Sequence, residues 1–470
     1  MKKILFYFFV LSSLFSLAQI YPNQNITLLS LIHPNNGTIG IGPDDRRYNG
    51  CWGWYQSSLN KEYAIVGSSS GTYFIDVTIP TTPSVCAFVP GLPNVTVREI
   101  KTYQNYCYVC CDLAGSNTFQ IIDMSTLPAT VTVVHNNNTI FESGHTMWID
   151  QDKLYVGLVR YFDNTTSPMN VYSLATPSVP VLLREIKQDF PLINTVHDMY
   201  VRNDTVFASC GYQGLYIFKF NTTTNTFSQL GSYTGYASAT YNHSSGLTQD
   251  GKHLLFCDES PAGSPIRYVD VQNLNNIQPV QTFQPYSGTT PHNPFLIGNK
   301  WAVVSCYQDG LFIYDISQPG NVAISGYFDT YPQSGGNIGN YFGADYRGNW
   351  GAYPYLPSGI IIAADMQNGV FILDPSDAFN NPVGIKNNTA NSPNLIVYPN
   401  PASDQIIISY ANATISKLEI KNALGQLLFE KHYTGKIIDH VDVSAFANGT
   451  YFVSITDNAR KLNKKLIINH

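Results

Sequence analysis

The sequence predicts an all-β chain, a seven-bladed β-propeller followed by a small immunoglobulin-like β-sandwich. Three observations carry that prediction. One phrase returns seven times, the period around each copy holds four β-prone runs, and the composition changes near residue 394. The copies are "GTYFIDV" at Gly71, "TFQIIDM" at Thr118, "NVYSLA" at Asn170, "GLYIFKF" at Gly214, "IRYVDV" at Ile266, "GLFIYDIS" at Gly310 and "GVFILDP" at Gly369. Anchored on Asp76, Asp123, Ser173, Lys219, Asp270, Asp315 and Asp374, they stand 47, 50, 46, 51, 45 and 59 residues apart. Repeats of that period with four strands each are what a propeller packs radially, every blade covering its neighbours.

The chain opens on "MKKILFYFFVLSSLFSLA", residues 1–18: two lysines, an apolar stretch and a small-residue end, the layout of a cleaved secretory signal. The apolar run is too short for a membrane span, and no later stretch can cross a bilayer as a helix. Next comes an isolated β-like run, "NITLLSLIHP", residues 25–34.

A complete period then reads "HDMYVR", "TVFASCG", "LYIFKF" and "SQLGSYT", rich in Val, Tyr, Phe and Thr and broken by turn residues. The third run is continuously apolar because a strand inside a propeller blade is covered on both faces. Its closing Asp is expected to accept backbone hydrogen bonds in the following turn. The seventh period has three runs and no fourth, so residues 25–34 are expected to supply its missing outer strand and close the ring, which leaves no exposed edge there.

Residues 377–393, rich in Pro, Asn and Ser, read as a linker. Beyond it residues 394–470 carry eight Lys/Arg against six Asp/Glu, whereas the part between leader and tail has sixteen against twenty-six. Alternating runs and Gly turns in the tail suggest a small β-sandwich.

Charged residues make up only 12% of the chain, with no basic stripe, which argues against nucleic acid as a partner. Export permits disulfides, and there are eight cysteines. Cys111, Cys210, Cys257 and Cys306, however, recur at equivalent points of successive periods, too far apart to bridge, and read as small buried side chains. Cys107 with Cys110 or Cys111 lacks the second ligand pair a zinc knuckle needs.

The candidate site residues come from the repeat. His145, His197, His243 and His292 stand 22 to 28 residues before the anchors of four consecutive blades, and Trp52, Arg98 and Trp350 hold similar places in the others. With the first strand innermost, these side chains would ring one mouth of a central channel, where imidazoles can hold a metal ion or an anionic ligand. The competing reading is that each His serves the packing of its own repeat, and that four imidazoles about one axis stand too far apart to share an ion. For a metal, the candidates are His197, His243, Asp258 and Glu259. Asp258, Glu259, Glu142 and Asp112 fall near strand ends and could offer paired carboxylates for acid–base chemistry on a polymer. Nucleophile elbows, phosphate loops and zinc-helix motifs are absent from the sequence. The long connection before the seventh period carries Tyr327, Tyr331, Tyr341, Phe342, Tyr346, Trp350 and Tyr353 amid Gly and Asn, the composition of an adaptable aromatic contact surface.

Two resemblances add to this. The tail, with Pro399-Asn400-Pro401, "NALGQ" at Asn422, "DVS" at Asp442, "NGTYFVSI" at Asn448 and the closing "KKLIIN", resembles the C-terminal sorting domain of type IX secretion cargo of Bacteroidetes. That implies delivery through the periplasm, recognition of residues 394–470 by the outer-membrane machinery, and a secreted or surface location. The body, with "PHNPFLIGNKWAVVSCYQDGLFIYDIS" and "GNWGAYPYLPSGIIIAADMQNGVFILD", resembles the choice-of-anchor B family of LVIVD repeats, which implies an exported propeller and carries no established reaction. The expected function is therefore a surface or secreted propeller that binds a glycan or protein. The alternatives are an extracellular enzyme at the channel mouth, metal- or carboxylate-dependent, and a structural adhesion component. No cofactor is assigned beyond the candidate metal ion.

Overall fold

The computed structural model describes residues 21–34, 40–113, 115, 117–342, 346–380, 385–386, 395–410, 416–422, 425–434, 437–457 and 460–470. The leader and most of residues 381–394 lie outside them. The chain divides into two compact units, residues 1–387 and 388–470.

The first unit is a seven-bladed propeller, each blade an antiparallel meander. The innermost strands are Tyr48–Gln56, Arg98–Tyr103, Thr146–Asp150, Asp198–Arg202, Tyr241–Leu247, Pro294–Ile297 and Asn349–Tyr353. The third strands are the recurrent phrase, and their burial explains its composition. Gly71–Asp76, Leu311–Asp315 and Gly369–Asp374 are buried at every residue except the final Asp. That Asp has a fixed task. Asp76, Asp123, Asp270, Asp315 and Asp374 each accept, at 2.8–2.9 Å, the backbone N–H two residues on, and Ser173 does the same through Oγ at 3.2 Å. A local side-chain acceptor fixes the turn that leads to the outer strand.

The ring closes through the N-terminus. Thr27–Ile32 pairs antiparallel with Gly369–Asp374 as the outer strand of blade seven. Just before it, Asn23–Gln24 pairs with Ala323–Phe328, so the same segment also extends blade six. Ile26, between these two pairings, is 2% exposed in a cluster with Trp301, Phe328 and Phe371.

The stretch read as a linker begins as ordered structure. Ser376–Asn380 is a short helix whose Ala378 is buried and whose Phe379 ring packs on Trp301, and Ile385–Lys386 pairs with blade six. Its Asn and Pro content suggested a spacer, but Ala378 and Phe379 join the cluster around Trp301 of blade six. All eight cysteines are free; Cys111, Cys210, Cys257 and Cys306 are buried, and only Cys86 is partly exposed.

The second unit packs a three-stranded sheet, Leu395–Tyr398, Gln405–Tyr410 and Ile437–Asp442, with a four-stranded one, Leu427–Tyr433, Ser416–Asn422, Gly449–Asp457 and Arg460–Ile468. Alternate residues such as Ile406, Ile408, Leu418, Ile420, Val453 and Ile455 form its core, as a sandwich requires. Among the described residues no helix is long and apolar enough to cross a membrane.

Candidate functional site

The four histidines form a continuous row of tilted rings. Ring centroids of His145 and His197 are 4.3 Å apart, those of His197 and His243 4.4 Å, those of His243 and His292 4.5 Å, and Trp350 continues the row 4.7 Å from His292. Adjacent imidazoles are close because neighbouring innermost strands converge near the axis, yet among the described residues only His243 and His292 bring ring nitrogens together with a third ligand-type side chain, so the four do not share one point. Their backbones do serve the repeat: the N–H groups of His145, His197 and His292 donate to Gly157, Ser209 and Ser305 in the second strands of their own blades. Thr146 Oγ1 donates to the His197 carbonyl and Ser244 Oγ to that of His292, tying each blade to the next. The rings take no part in those bonds. Burial, with the neighbouring imidazoles, pushes the pKa of His197 well below the ordinary histidine value and those of His243 and His292 down to about 3, so these three rings are neutral at pH 7.

Beneath the row lies a cavity of ≈40 Å³, room for a water or two, bordered by Glu99, Lys101, Asp198 and the histidines. Lys101 Nζ pairs with Glu99 and stands 4.2 Å from the centre of the Trp52 ring. Among the described residues no cation pairs with Asp198. Burial, then the Glu99 charge, raises it to about 7, with Lys101 opposing.

A second layer is aromatic. Trp148 packs on Tyr200 at 4.9 Å, Trp52 on Tyr353 at 4.8 Å, and Phe295 on Tyr355 at 6.0 Å. A side chain at Gly53 would collide with the Tyr353 ring, so glycine there admits the Trp52–Tyr353 contact. Trp52, Trp148, Tyr200 and Tyr355, with Leu247, Leu296, Arg202 and Gln249, wall a cavity of ≈360 Å³. Tyr355 is anchored by its hydroxyl, which donates to the Leu296 carbonyl at 3.0 Å, and Arg202 donates to the carbonyls of Thr248 and Gln249.

Several expected site residues fall elsewhere. Arg98 does not line the channel: it is 1% exposed, and its guanidinium donates to the carbonyls of Ser68 and Leu92 between blades. Strand alternation gives the channel positions to Glu99 and Lys101 instead. Trp52 lies in the aromatic layer, not in the histidine row. Asp258 is fully buried and held by Arg267 Nε at 2.8 Å and the Tyr236 hydroxyl at 2.7 Å, which removes it from the metal candidates. Its neighbour Glu259 faces the imidazoles, with His243 Nε2 at 3.5 Å and His292 Nε2 at 4.0 Å. Glu142 pairs with Arg160 at 3.3 Å and Asp112 with His145 at 3.8 Å. In the long connection Tyr331 is buried, the Tyr341 hydroxyl donates to Asp309, Tyr327 stacks on Phe312, and Tyr346 packs half-buried on Tyr307. Phe342 alone of that group is exposed, at 41%. Most of those aromatics thus serve packing.

Trp148, Tyr200, Arg202 and Tyr355 were not singled out from the sequence. A signal existed: continuing by twos from Asp198 along its strand gives Tyr200 and Arg202, all three on the channel side.

Comparison with known proteins adds the following. Residues 396–469 match the family model of the secretion system C-terminal sorting domain. This domain is recognised by the type IX secretion machinery and directs the chain to the cell surface or the surroundings. Two ulvan lyases match in part, that of Nonlabens ulvanivorans at 40% identity over 75 residues and the endo-acting enzyme of Formosa agariphila at 36% over 73, covering 16% and 15% of this chain. The matches span 14% of either lyase. Among solved structures, PorZ, a surface component of the type IX system of Porphyromonas gingivalis, is similar at 11% identity and a TM-score of 0.45, over 92% of this chain and 61% of that one. The Cps50 (Swd1) β-propeller domain of Myceliophteria thermophila is similar at 12% identity and a TM-score of 0.48, over 74% of this chain and 98% of the other.

Proposed function

We propose that this chain is an exported propeller of the choice-of-anchor B type that binds a glycan, taking one or two sugar units into the aromatic end of its axial channel. The observation that carries this is the ≈360 Å³ cavity walled by Trp52, Trp148, Tyr200 and Tyr355. A volume of that size, with aromatic walls and a few polar groups at its edge, is the build of a small-ligand pocket. The ring faces offer apolar surface to the C–H faces of a sugar, while Arg202 and Gln249 stand where hydroxyl groups need partners. The rings are locked by mutual packing, so little side-chain entropy is lost on binding. The sorting domain brings the propeller to the location where extracellular polymers are met.

The test is a glycan array probed with the full chain and with Trp148→Ala in parallel. Saturable binding to a defined set of glycans, lost or at least tenfold weaker in the variant, is the expected result. Binding of a protein partner instead, insensitive to Trp148→Ala, would overturn the glycan reading.

A further inference from the structure

The backbone singles out two residues at the histidine row. Between the first and second strands of blade five the pairing runs Tyr241↔Ser260, Asn242↔Asp258, Ser244↔Cys257. Two residues are skipped, one on each strand: Glu259 and His243. A bulge leaves its extra residue out of the ladder and re-aims its side chain, and such features gather at functional sites. Here the paired irregularities turn His243 and Glu259 toward each other, and His292, at the entrance to blade six, completes a triangle. One ligand atom from each of the three residues lies within 4.8 Å of the other two.

The separations are informative. His243 Nε2 and His292 Nε2 stand 3.5 and 4.0 Å from the Glu259 oxygens. These exceed the ~2.7–2.9 Å of a charge-assisted hydrogen bond. The nearer separation, to Oε2, matches the ~3.4 Å edge of a tetrahedron whose centre binds N and O ligands at ~2.0–2.1 Å, the other, to Oε1, is wider, and one ligand atom of each residue lies within 4.8 Å of the other two. The tautomer agrees. His292 Nδ1 bonds the Trp350 carbonyl, which can only accept, so Nδ1 carries the proton and Nε2 of the neutral ring presents a lone pair toward Glu259. The His292 Nε2 lone pair thus faces a carboxylate, an arrangement that a cation between them would satisfy. His243 is 3% exposed, and the His292 backbone lies beside its ring. Outer partners are in place: the Tyr307 hydroxyl donates to Glu259 Oε1 at 2.6 Å and the Trp350 carbonyl orients His292. Such contacts fix ligand orientation in metal sites.

We infer that His243, His292 and Glu259 bind one divalent transition-metal ion, Zn²⁺ by donor type. Two imidazole nitrogens and one carboxylate oxygen suit zinc, whereas calcium and magnesium take oxygen-rich shells. Three protein ligands leave a position for water or substrate, and among the described residues no fourth ligand joins the cluster. This site is distinct from the aromatic cavity and stands or falls independently of glycan binding.

The experiment strips the full chain with chelator, titrates it with Zn²⁺ alone, and measures retained metal after dialysis. One Zn²⁺ per chain is expected, with a rise in thermal midpoint. Glu259→Gln, isosteric and neutral, should weaken binding at least tenfold, His292→Gln should do the same, and His432→Asn, exposed in the second unit, should leave it unchanged. Should Glu259→Gln not fold, His292→Gln alone decides. The inference is overturned if no stoichiometric Zn²⁺ is retained, if a folded Glu259→Gln or His292→Gln chain binds as the parent does, or if Ca²⁺ binds in preference.

Discussion

Replacing Asp198 by Asn should stabilise the propeller, and only at the upper end of the pH range. The carboxyl sits between the imidazole row and the aromatic layer, raised from its usual 3.8 to about 7, first by burial and then by Glu99, while Lys101, the Met199 N–H and His145 pull it down. A group whose folded pKa lies above its unfolded one binds more protons folded than unfolded between the two values. Stability contributed by Asp198 is therefore full below about pH 4, declines as pH rises toward about 7, and is flat beyond. The gap from 3.8 to about 7 corresponds to roughly 4 kcal/mol at 1.36 kcal/mol per pH unit. That is an upper bound, since the side chain borders a cavity that can admit water; about 2 kcal/mol is the working figure. Asn keeps the shape and the acceptor for the Met199 N–H, which now bonds Asp198 Oδ1 at 2.7 Å. All five tryptophans lie in the propeller, so urea unfolding followed by their fluorescence reports on that unit alone. The variant and parent should coincide at pH 4 and separate by about 2 kcal/mol at pH 8. Equal stabilities at pH 8, or a difference that does not change with pH, would refute the reasoning.

Other consequences follow from the same packing. Asp258→Ala removes the buried counter-ion of Arg267, which keeps only the Ala237 and Ser238 carbonyls, and should cost about 3 kcal/mol, read as a lower urea midpoint, whereas a surface-pair change such as Lys252→Ala should cost almost nothing. Ile26→Ala empties a buried site where the N-terminal segment joins blades six and seven, and about 2–5 kcal/mol should be lost; an unchanged midpoint would mean that this segment does not hold the ring closed. A thiol reagent should modify one cysteine, Cys86, in the native chain and all eight after denaturation; fast labelling of Cys210 or Cys306 would contradict their burial.

What the sequence reveals and what it hides divide along physical lines. The third strand of each blade is legible because burial on both faces removes alternation, and its terminal Asp because a side-chain acceptor at a turn is a local interaction. The vacant edge of blade seven is visible because a blade with three runs needs a fourth from elsewhere. Channel lining is harder to read, since a shift of one residue exchanges the two faces of a strand. Counting back from the anchor put Arg98 in the channel, where Glu99 and Lys101 stand. The bulges that aim His243 and Glu259 together depend on how two strands meet, and no composition announces them; Asp258 and Glu259 look alike in the sequence, yet one is consumed by Arg267 and the other faces imidazoles. Tyr331 and Tyr341 have the composition of a contact surface but are engaged in packing and in the bond to Asp309, a distinction set by three-dimensional neighbours alone.

The most direct measurement is a crystal structure of the chain with an array-selected oligosaccharide bound. Sugar density lying against Trp148 and Tyr200 and within reach of Arg202 is the predicted result. A ligand seated on the outer rim of the blades, with the aromatic cavity unchanged, would contradict it.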